Sequence, residues 1–299
     1  MKKLFRLVLF VCILVSNPAG VFSQALESTL LWEISGKGLS KPSYLFGTYH
    51  LLNNEFLDKN QPKALACFQK SEGVVVETVI DTPSMMNAQM HMVMFNNKVS
   101  ALLDTAAYQI LKKDIQTIMG VDVALLEQMK PMALATILTV GYAKDANPQL
   151  AEYKGKPLDQ YFATEGTKEG KQVHALETVE EQMTMLFDHY TLQEQAAQLS
   201  EMLLKKDLSL RIQKDVTRYY LEQNVQKMYE VSEQAKHEMS SIGDMDYLTV
   251  NRNKAWMNQL PAILQSGSQF IAVGALHLPG PDGLIDLLRK QGYVVKPVL

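Results

Sequence analysis

Two short stretches decide the fold of this chain: Ser43-Tyr-Leu-Phe-Gly-Thr-Tyr-His-Leu51 and Gln269-Phe-Ile-Ala-Val-Gly-Ala-Leu-His-Leu278. Each begins with an apolar run that is typical of a buried strand and continues into the motif Gly-x-x-His-Leu. After each motif the sequence predicts a loop, a helix and another strand. We therefore expect two β-GxxH-α-β units, one near each end of the chain.

Other strand-like segments lie close to these two units. Residues 31–34 and 44–46 are apolar runs on either side of a Gly-Lys-Gly-Leu-Ser-Lys-Pro turn, which predicts a hairpin. Runs rich in β-branched and aromatic residues at 74–76, 173–176 and 293–295 predict further strands. Both ends of the chain are therefore rich in predicted strands.

The middle of the chain has a helical pattern. Apolar residues recur with helical spacing over about 84–142 and 180–264, and Gly120 and Pro131 interrupt the first stretch. Thr178 and Glu181 have the spacing of a capping box, which predicts a helix start. This arrangement favours one α/β (α+β) domain, in which N- and C-terminal segments form a mixed sheet and a large helical insertion lies between them.

The first residues resemble a targeting segment. A basic head is followed by an apolar run of about a dozen residues, shorter than the ~20 that a spanning helix needs, and then by Asn17, Pro18 and small residues. We interpret residues 1–23 as a signal peptide and residues 24–299 as one domain, with cleavage after Ser23 as first choice and after Ala25 as second. The sequence thus predicts an exported protein, periplasmic or secreted, without a stable membrane span.

Composition excludes some partners and cross-links. Loss of the three basic residues of the head changes the net charge from −3 to −6, which gives no electrostatic footprint for nucleic acid. Only Cys67 would remain after cleavage, so we expect no internal disulfide. Stability must then come from the core.

The two Gly-x-x-His motifs carry the first candidate functional residues. Gly47 and Gly274 can adopt a positive φ angle, which would let the chain turn sharply at a strand end. His50 and His277 would then point into the space beyond the sheet. In open α/β sheets, ligands bind in the crevice outside the carboxyl ends of the strands.

Two glutamates are expected at the same edge. Glu77 follows the predicted strand at 74–76, and Glu177 follows the one at 173–176. If the strands run parallel, these carboxylates converge with His50 and His277. Glu177 has a second interpretation, because a carboxylate in the first turn of a helix also meets the helix dipole favourably.

This combination of side chains suits several kinds of chemistry. Two imidazoles with one or two carboxylates suit Zn²⁺, Mn²⁺, Co²⁺ or Fe²⁺. Such an ion can lower the pKa of a bound water towards 7, and a spare carboxylate can act as general base. Without a metal, a histidine and a glutamate could form a base and its orienting partner.

The remaining candidates are weaker. Arg252 lies in a helical stretch before the second motif, where it could clamp a substrate carboxylate or form a surface ion pair. The other histidines are interpreted as structural, and the methionines as core residues rather than copper ligands. These residues are His91, His174, His189 and His237, and Met85, Met86, Met90, Met92 and Met94.

With these features, the chain resembles the TraB/GumN family, the bacterial relatives of the Tiki metalloproteases, whose fold is related to erythromycin esterase-like and ChaN-like proteins. The resemblance spans essentially the whole predicted mature chain. Matching segments are Leu31-Trp-Glu-Ile34, Tyr44-Leu-Phe-Gly-Thr-Tyr-His50, Val75-Val-Glu77, Lys130-Pro131, Gly155-Lys-Pro-Leu-Asp159, Leu176-Glu-Thr178 with Glu181-Gln182, Arg252-Asn253 with Trp256, Val273-Gly-Ala-Leu-His-Leu278 and Gly292-Tyr-Val-Val295.

The resemblance implies a set of site residues. It places His50, Glu77, Arg252 and His277 in the site, with Glu177 and Asp159 as further candidates. Their expected roles are metal binding for His50, His277 and Glu77, catalysis for Glu77, Glu177 and Arg252, and binding for Gly47, Gly274, Asn253 and Asp159. Where the family usually has Gly-Ile-Asp, this chain has Lys156-Pro-Leu-Asp159, so the backbone setting of Asp159 differs.

Three functions remain open at this point. The leading hypothesis is an exported metal-dependent hydrolase of the Tiki type, acting on a peptide or other small-molecule substrate with a divalent Mn, Co, Zn or Fe ion. The second is a metal-independent, esterase-like hydrolase in which His50 or His277 is the general base. The third is a binding protein that holds a small ligand or haem in the same crevice.

Overall fold

A six-stranded sheet organises the protein. The computed structural model describes residues 26–239 and 246–299, and the signal peptide predicted at 1–23 lies outside them. In spatial order the strands are β4-β3-β5-β2-β1-β6. Their bounds are β1 Leu31–Ser35, β2 Ser43–Thr48, β3 Gly73–Val76, β4 Gln172–Ala175, β5 Gln269–Gly274 and β6 Val294–Pro297.

The sheet is mixed, as the sequence predicts. Strands β4, β3, β5 and β2 pair in parallel, whereas β1 pairs antiparallel with both β2 and β6. The predicted hairpin is therefore confirmed as β1–β2. The four parallel strands belong to one sheet, so their carboxyl ends meet at one edge.

Helices surround this sheet and form most of the middle of the chain. The first unit runs from β2 through two helices to β3, and the second runs from β5 through a 3-10 turn and one helix to β6. The helices are α1 Asn54–Asn60, α2 Pro62–Lys70, α3 Thr82–His91, α4 Val99–Leu102, α5 Thr105–Met119, α6 Pro131–Ala146, α7 Leu158–Lys168, α8 Val179–Phe187, α9 Leu192–Leu204, α10 Lys206–Leu221, α11 Val225–Glu238, α12 Val250–Trp256, α13 Leu260–Gln265 and α14 Leu284–Lys290.

Aromatic packing fixes α7 against the sheet. The rings of Phe162 and Phe270 have centroids 4.8 Å apart, and Phe68 lies 5.3 Å from Phe162. A Cβ atom at Gly166 would lie only 2.8 Å from Val74 Cγ2, so glycine allows α7 to approach β3 closely. This contact places the N-terminal end of α7 beside the strand ends.

The helical insertion has its own apolar cluster, formed by residues of α4, α5, α6 and α9 and the segments between them. The sequence correctly predicts where two of its helices end and begin. Helix α5 ends before Gly120, whose φ is +72°, and α6 begins at Pro131. Within the described residues, no helix combines the length and apolarity needed to cross a bilayer.

The prediction that the methionines belong to the core is wrong for α3. Met85, Met86 and Met90 are 53%, 67% and 57% exposed, whereas Met94 is buried. None of the described side chains of α3 is buried, and the main contact of this helix is with α8.

Candidate functional site

The four parallel strands deliver one candidate residue each to the same edge of the sheet. His50 follows β2 and Glu77 follows β3, whereas His277 and Glu177 follow β5 and β4. Glu77 and His277 are buried, with 8% and 5% of their surface exposed. Glu77 Oε1 accepts a hydrogen bond from the amide N–H of Gly274 at 2.7 Å and lies 3.9 Å from His277 Nε2.

Arg252 occupies the centre of this group. Its Nη2 donates to Glu77 Oε2 at 2.5 Å and to Glu177 Oε1 at 2.6 Å, and its Nε donates to Glu177 Oε2 at 3.0 Å. Its Nη1 donates to His277 Nε2 at 3.0 Å and to the carbonyl of Leu248 at 3.1 Å. The side chain is only 11% exposed, so Arg252 lies inside the site rather than at the rim.

These contacts use the full donor capacity of the guanidinium. An arginine has five N–H groups, and the five bonds of Arg252 match that number. Direct contact between Arg252 and a substrate, which the sequence predicts, would therefore require one of these bonds to break. The arrangement favours a residue that holds two carboxylates in place.

The carboxylate of Glu177 also has its hydrogen-bonding capacity in use. Its Oε2 accepts from Arg252 Nε and from Trp256 Nε1 at 3.2 Å, and its Oε1 accepts from Arg252 Nη2 and from Gln182 Nε2 at 3.2 Å. Four donors saturate a carboxylate, which has about four lone-pair sites. A Glu177 bound in this way anchors Arg252 and has no free lone pair with which to accept a proton.

Asn253 fixes the tautomer of His277. Its Nδ2 donates to the carbonyls of His277 at 3.2 Å and Asp282 at 2.8 Å, so its Oδ1 must be the atom that faces His277 Nδ1 at 2.7 Å. Because Oδ1 can only accept, Nδ1 carries the proton and Nε2 keeps its lone pair. His277 thus presents an unprotonated Nε2 towards Glu77 and Arg252.

Burial and charge separate the protonation states of the two buried groups. Burial, which removes the solvation of the charged ring, is the main cause that lowers the pKa of His277 to about 3; Glu77 opposes this effect, and the Arg252 and His50 cations add to it. Burial alone would raise the pKa of Glu77, but His277, Arg252, His50 and the amide of Gly274 lower it to about 2. Since His277 is neutral at pH 7, Arg252 and His50 are the cations that keep Glu77 ionised there.

His50 has its own carboxylate partner. Its Nδ1 lies 2.6 Å from Asp159 Oδ2, and Asp159 Oδ1 accepts from the Thr48 hydroxyl at 2.5 Å. The Asp159 carboxylate is the main cause that raises the pKa of His50 to about 9. Since 70% of the His50 side chain is exposed, solvent screens part of this interaction. The bond to Asp159 leaves Nε2 as the ring nitrogen available to a ligand.

A cleft of about 240 Å³ opens onto these groups. Its lining includes His50, Glu77, Asp159 and Gln182. His277, Glu177 and Arg252 lie behind Glu77, which connects them to the cleft through the bonds described above. The structure thus brings Glu77, Glu177 and His277 together around Arg252, whereas His50 shares the lining of the cleft with Glu77.

The two motif glycines have a different role from the predicted one. Gly274 has φ −51°, and neither it nor Gly47 is among the glycines with positive φ, so the prediction of positive φ is wrong. A Cβ at Gly47 would lie 3.0 Å from Ala275 Cα, and one at Gly274 would lie 3.3 Å from Glu77 Oε1. At both positions glycine leaves room for neighbouring atoms that approach the backbone closely, more tightly at Gly47 than at Gly274.

The donor atoms fit the divalent ion expected from the resemblance. Both histidines use Nδ1 to bond an oxygen acceptor, the carboxylate of Asp159 or the amide of Asn253, which is typical of histidines that bind metal through Nε2. Across residues 26–239 and 246–299, however, no group of three or more His, Cys, Asp or Glu side chains is arranged to hold an ion. Arg252 Nη1 bonds to His277 Nε2, so a metal there would require this bond to be given up.

Sequence reasoning missed three residues of the site. Thr48 orients Asp159, Gln182 bonds to both glutamates, and the Trp256 indole bonds to Glu177 while its ring lies 4.5 Å from that of His277. Helical spacing could have found Trp256, which is one turn after Arg252. It could also have found Gln182, whose side chain points back towards the N-terminus of α8 and so towards Glu177.

Comparison with known proteins identifies the family. The sequence profile of the TraB/PrgY/gumN family matches residues 30–297. The chain belongs to this family. Among curated proteins, this chain is similar to Metalloprotease TIKI2 of Danio rerio. The two are 24% identical over an alignment that covers 92% of this chain and 62% of the relative. The chain thus spans less than two thirds of the length of that relative. No solved structure matches this chain.

Proposed function

We propose that this family member is a metal-dependent hydrolase that cleaves peptide bonds. The observation that supports it best is that His50 and His277, which lie near Glu77, have their Nδ1 atoms bonded to Asp159 and Asn253. The distant similarity to a protein named as a metalloprotease supports the same class of reaction. His50, Glu77 and His277 each follow the carboxyl end of a parallel strand, where α/β proteins bind their ligands.

In this proposal His50, His277 and Glu77 hold a divalent Mn, Co, Zn or Fe ion. When bound, such an ion lowers the pKa of a coordinated water and polarises a carbonyl. The protein contributes fixed orientation: Asn253 keeps the proton on Nδ1 of His277, and Asp159 does the same for His50. His50, which is exposed in the cleft, is the first of the three ligands that an entering substrate meets.

Arg252 and Glu177 act as positioning residues in this proposal. Their two mutual hydrogen bonds hold the guanidinium against Glu77 Oε2, which keeps Glu77 ionised and directs Oε1 towards His277. Gln182 and Trp256 complete the shell around Glu177. General-base catalysis by Glu177, expected from the sequence, is not part of the proposal because its four lone-pair sites are in use.

The metal-free alternative needs a histidine that accepts a proton from water or a hydroxyl. His277 is poorly suited, because Arg252 already donates to its Nε2 and a proton there would set two cations against each other. His50 pairs with Asp159, which raises its pKa to about 9, so it could act as the base only after it lost the proton that it carries at pH 7. The ligand-binding or haem-binding alternative predicts uptake of a ligand without turnover.

Metal content and turnover test the proposal together. The full chain, produced in a host with intact export machinery, should retain or regain about one equivalent of divalent ion and hydrolyse a mixed peptide library. His50→Ala and His277→Ala should lose both the ion and turnover, whereas His91→Ala, outside the cleft, should keep both. Turnover that persists in the metal-free protein would favour the esterase-like mechanism, and absence of both would favour the binding protein.

We also propose that the protein is exported, with a mature chain that begins at Gln24 or, failing that, at Leu26. The basic head and the short apolar run of residues 1–23 support this proposal. The intact mass of the protein recovered from the periplasmic fraction or the medium tests it. A full-length mass in the cytoplasm or in the membrane fraction would contradict it.

A further inference from the structure

A second groove continues from the cleft along α7. It has a volume of about 430 Å³ and runs between the segment that follows β3 and the exposed side of α7. Thr78, Ile80, Asp159 and Gln160 line both the cleft and the groove. A ligand held in the groove would therefore lie next to His50 and Glu77.

The groove has an apolar side and a more polar side. Val79, Ile80 and Met85 are apolar and about half exposed, at 47%, 46% and 53%. Thr164 and Gln160 of α7 offer hydroxyl and amide groups on the opposite side. Apolar surface combined with a few polar groups is the usual composition of a site that binds apolar side chains and hydrogen-bonds a backbone.

Helix α3 extends the apolar surface and is held at both ends by polar contacts. At its start Asp81 Oδ1 accepts from the amide of Ser84 at 2.8 Å, and at its end His91 bonds to Glu180 at 2.9 Å and Asp188 at 2.5 Å. Between these anchors the helix exposes Met86 and Met90, which lie one turn apart on the same face. Methionine side chains adapt to partners of varied shape.

The charge of this region favours a polypeptide over a membrane surface. Residues 78–97 contain no lysine or arginine, and Asp81 adds a negative charge. Surfaces that bind anionic bilayers usually combine apolar residues with several basic ones. The two charged residues of the groove, Lys168 and Asp159, are paired with Glu165 and His50. A groove of this kind that opens into a polar cleft instead suits an extended chain with apolar side chains.

From this geometry we propose that the groove formed by Val79, Ile80, Met85 and α7 binds an apolar stretch of the polypeptide substrate and sets the cleavage preference. This inference rests on the proposed hydrolase function. Apolar side chains of the substrate contact Val79 and Met85, and the adjoining peptide bond lies in the cleft beside His50. The preferred substrate then has apolar residues on one side of the bond that is cleaved.

Binding is measured separately from cleavage. The full chain carrying His50→Ala is titrated with two fluorescent ten-residue peptides, one rich in Leu and Val and one rich in Ser and Asn. We expect the apolar peptide to bind at least about tenfold more tightly, and Val79→Glu/Met85→Glu to remove that difference. The control variant Leu125→Glu/Leu204→Glu changes two exposed leucines elsewhere and should leave binding unchanged.

The two proposals fail in different ways. If the apolar peptide binds through Val79 and Met85 but the wild-type chain cleaves nothing, the proposed role of the groove is supported and the proposed hydrolase function is contradicted. If the wild-type chain cleaves peptides while Val79→Glu/Met85→Glu keeps the wild-type KM for apolar substrates, the groove inference falls. Sedimentation of the protein with phosphatidylglycerol vesicles, lost in the double variant without any loss of peptide binding, would replace it with a membrane surface.

Discussion

Asn253 and His277 are bonded to each other twice, once through Oδ1 and Nδ1 at 2.7 Å and once through Nδ2 and the His277 carbonyl at 3.2 Å. The side chain of Asn253 is thereby fixed in one orientation, and the histidine is fixed in one tautomer. The pair joins α12 to the 3-10 turn that follows β5. The protonation of a candidate metal ligand is thus set by a neighbouring neutral amide.

Asn253→Ala should reduce function more than its loss of stability explains. We expect a 10–100-fold loss of metal affinity or turnover, because His277 loses the acceptor that holds its tautomer. The free energy of unfolding should fall by about 1–3 kcal/mol, since buried groups lose their partner. Asn147→Ala is a matched control, because Asn147 is also buried and donates to two carbonyls, of Ala143 and Gln213. Equal functional losses in both variants would contradict the assigned role.

Arg252→Met should destabilise the protein by about 3–5 kcal/mol at pH 7, because Glu77 and Glu177 would remain buried without a counter-charge. In the wild type the pKa of Glu77 is lowered to about 2, so its stabilising effect is present above about pH 4.5 and is lost as the pH falls through 2. In the variant the carboxylate is favoured in its protonated form.

The free energy of unfolding of Arg252→Met should consequently fall furthest below that of the wild type above pH 5. The difference should become smaller towards acid pH. Urea unfolding measured from pH 3.5 to 8 provides the comparison. Adding Glu77→Gln and Glu177→Gln to the variant removes the unpaired charges and should recover part of the lost stability at pH 7. A deficit that is constant with pH would show that packing, not charge, is what Arg252 contributes.

Asp159→Asn should lower turnover about 10–100-fold with little change in stability, because Asp159 orients His50 at the surface of the cleft. The chain contains a matched pair outside the site, since Asp188 Oδ2 also lies against a histidine, Nδ1 of His91, at 2.5 Å. Asp188→Asn should leave turnover close to that of the wild type. The prediction fails if both substitutions reduce turnover equally.

His91 should make stability depend on pH through Glu180 and Asp188, none of which is among the residues that line the cleft. Hydrogen bonding to Asp188 is the main cause that raises its pKa above 6.5, and Glu180 adds to this effect. A raised pKa means that the stabilisation is complete below about pH 6.5 and is lost as the pH rises through the value in the folded protein. His91→Asn should therefore cost on the order of 1 kcal/mol at pH 5.5 and less at pH 9.

Thermal unfolding at both pH values checks this prediction, with the exposed His237→Asn as control. The control should show no comparable change between pH 5.5 and pH 9. If His91→Asn lost more stability at pH 9 than at pH 5.5, the pH dependence would have the opposite sign. The ion pairs of His91 would then not be the source of the stability.

The sequence was sufficient for the sheet because its strands are apolar runs with clear boundaries. Glu77 and His277 could be placed at one edge from the runs that precede them, given parallel strands. The hairpin β1–β2 and the helix starts at Pro131 and Thr178 follow from local turn and capping chemistry. These features depend on residues that are close together in the chain.

What could not be predicted depends on contacts between distant segments. The central position of Arg252 follows from how α12 packs over the strand ends, and no local pattern encodes that distance. The same is true of Gly47, whose small size matches the close approach of Ala275 in the 3-10 turn that follows β5. The exposure of Met85 was missed because periodicity identifies an apolar face but does not say whether anything covers it.

The position of β5 has a consequence for biosynthesis. This strand, at Gln269–Gly274, lies between β3 and β2, so the two flanking parts of the sheet have no common partner until the last tenth of the chain emerges from the ribosome. Pairings of such long sequence separation form slowly. A product that ends before β5 would therefore have its sheet in two unpaired parts and would lack His277.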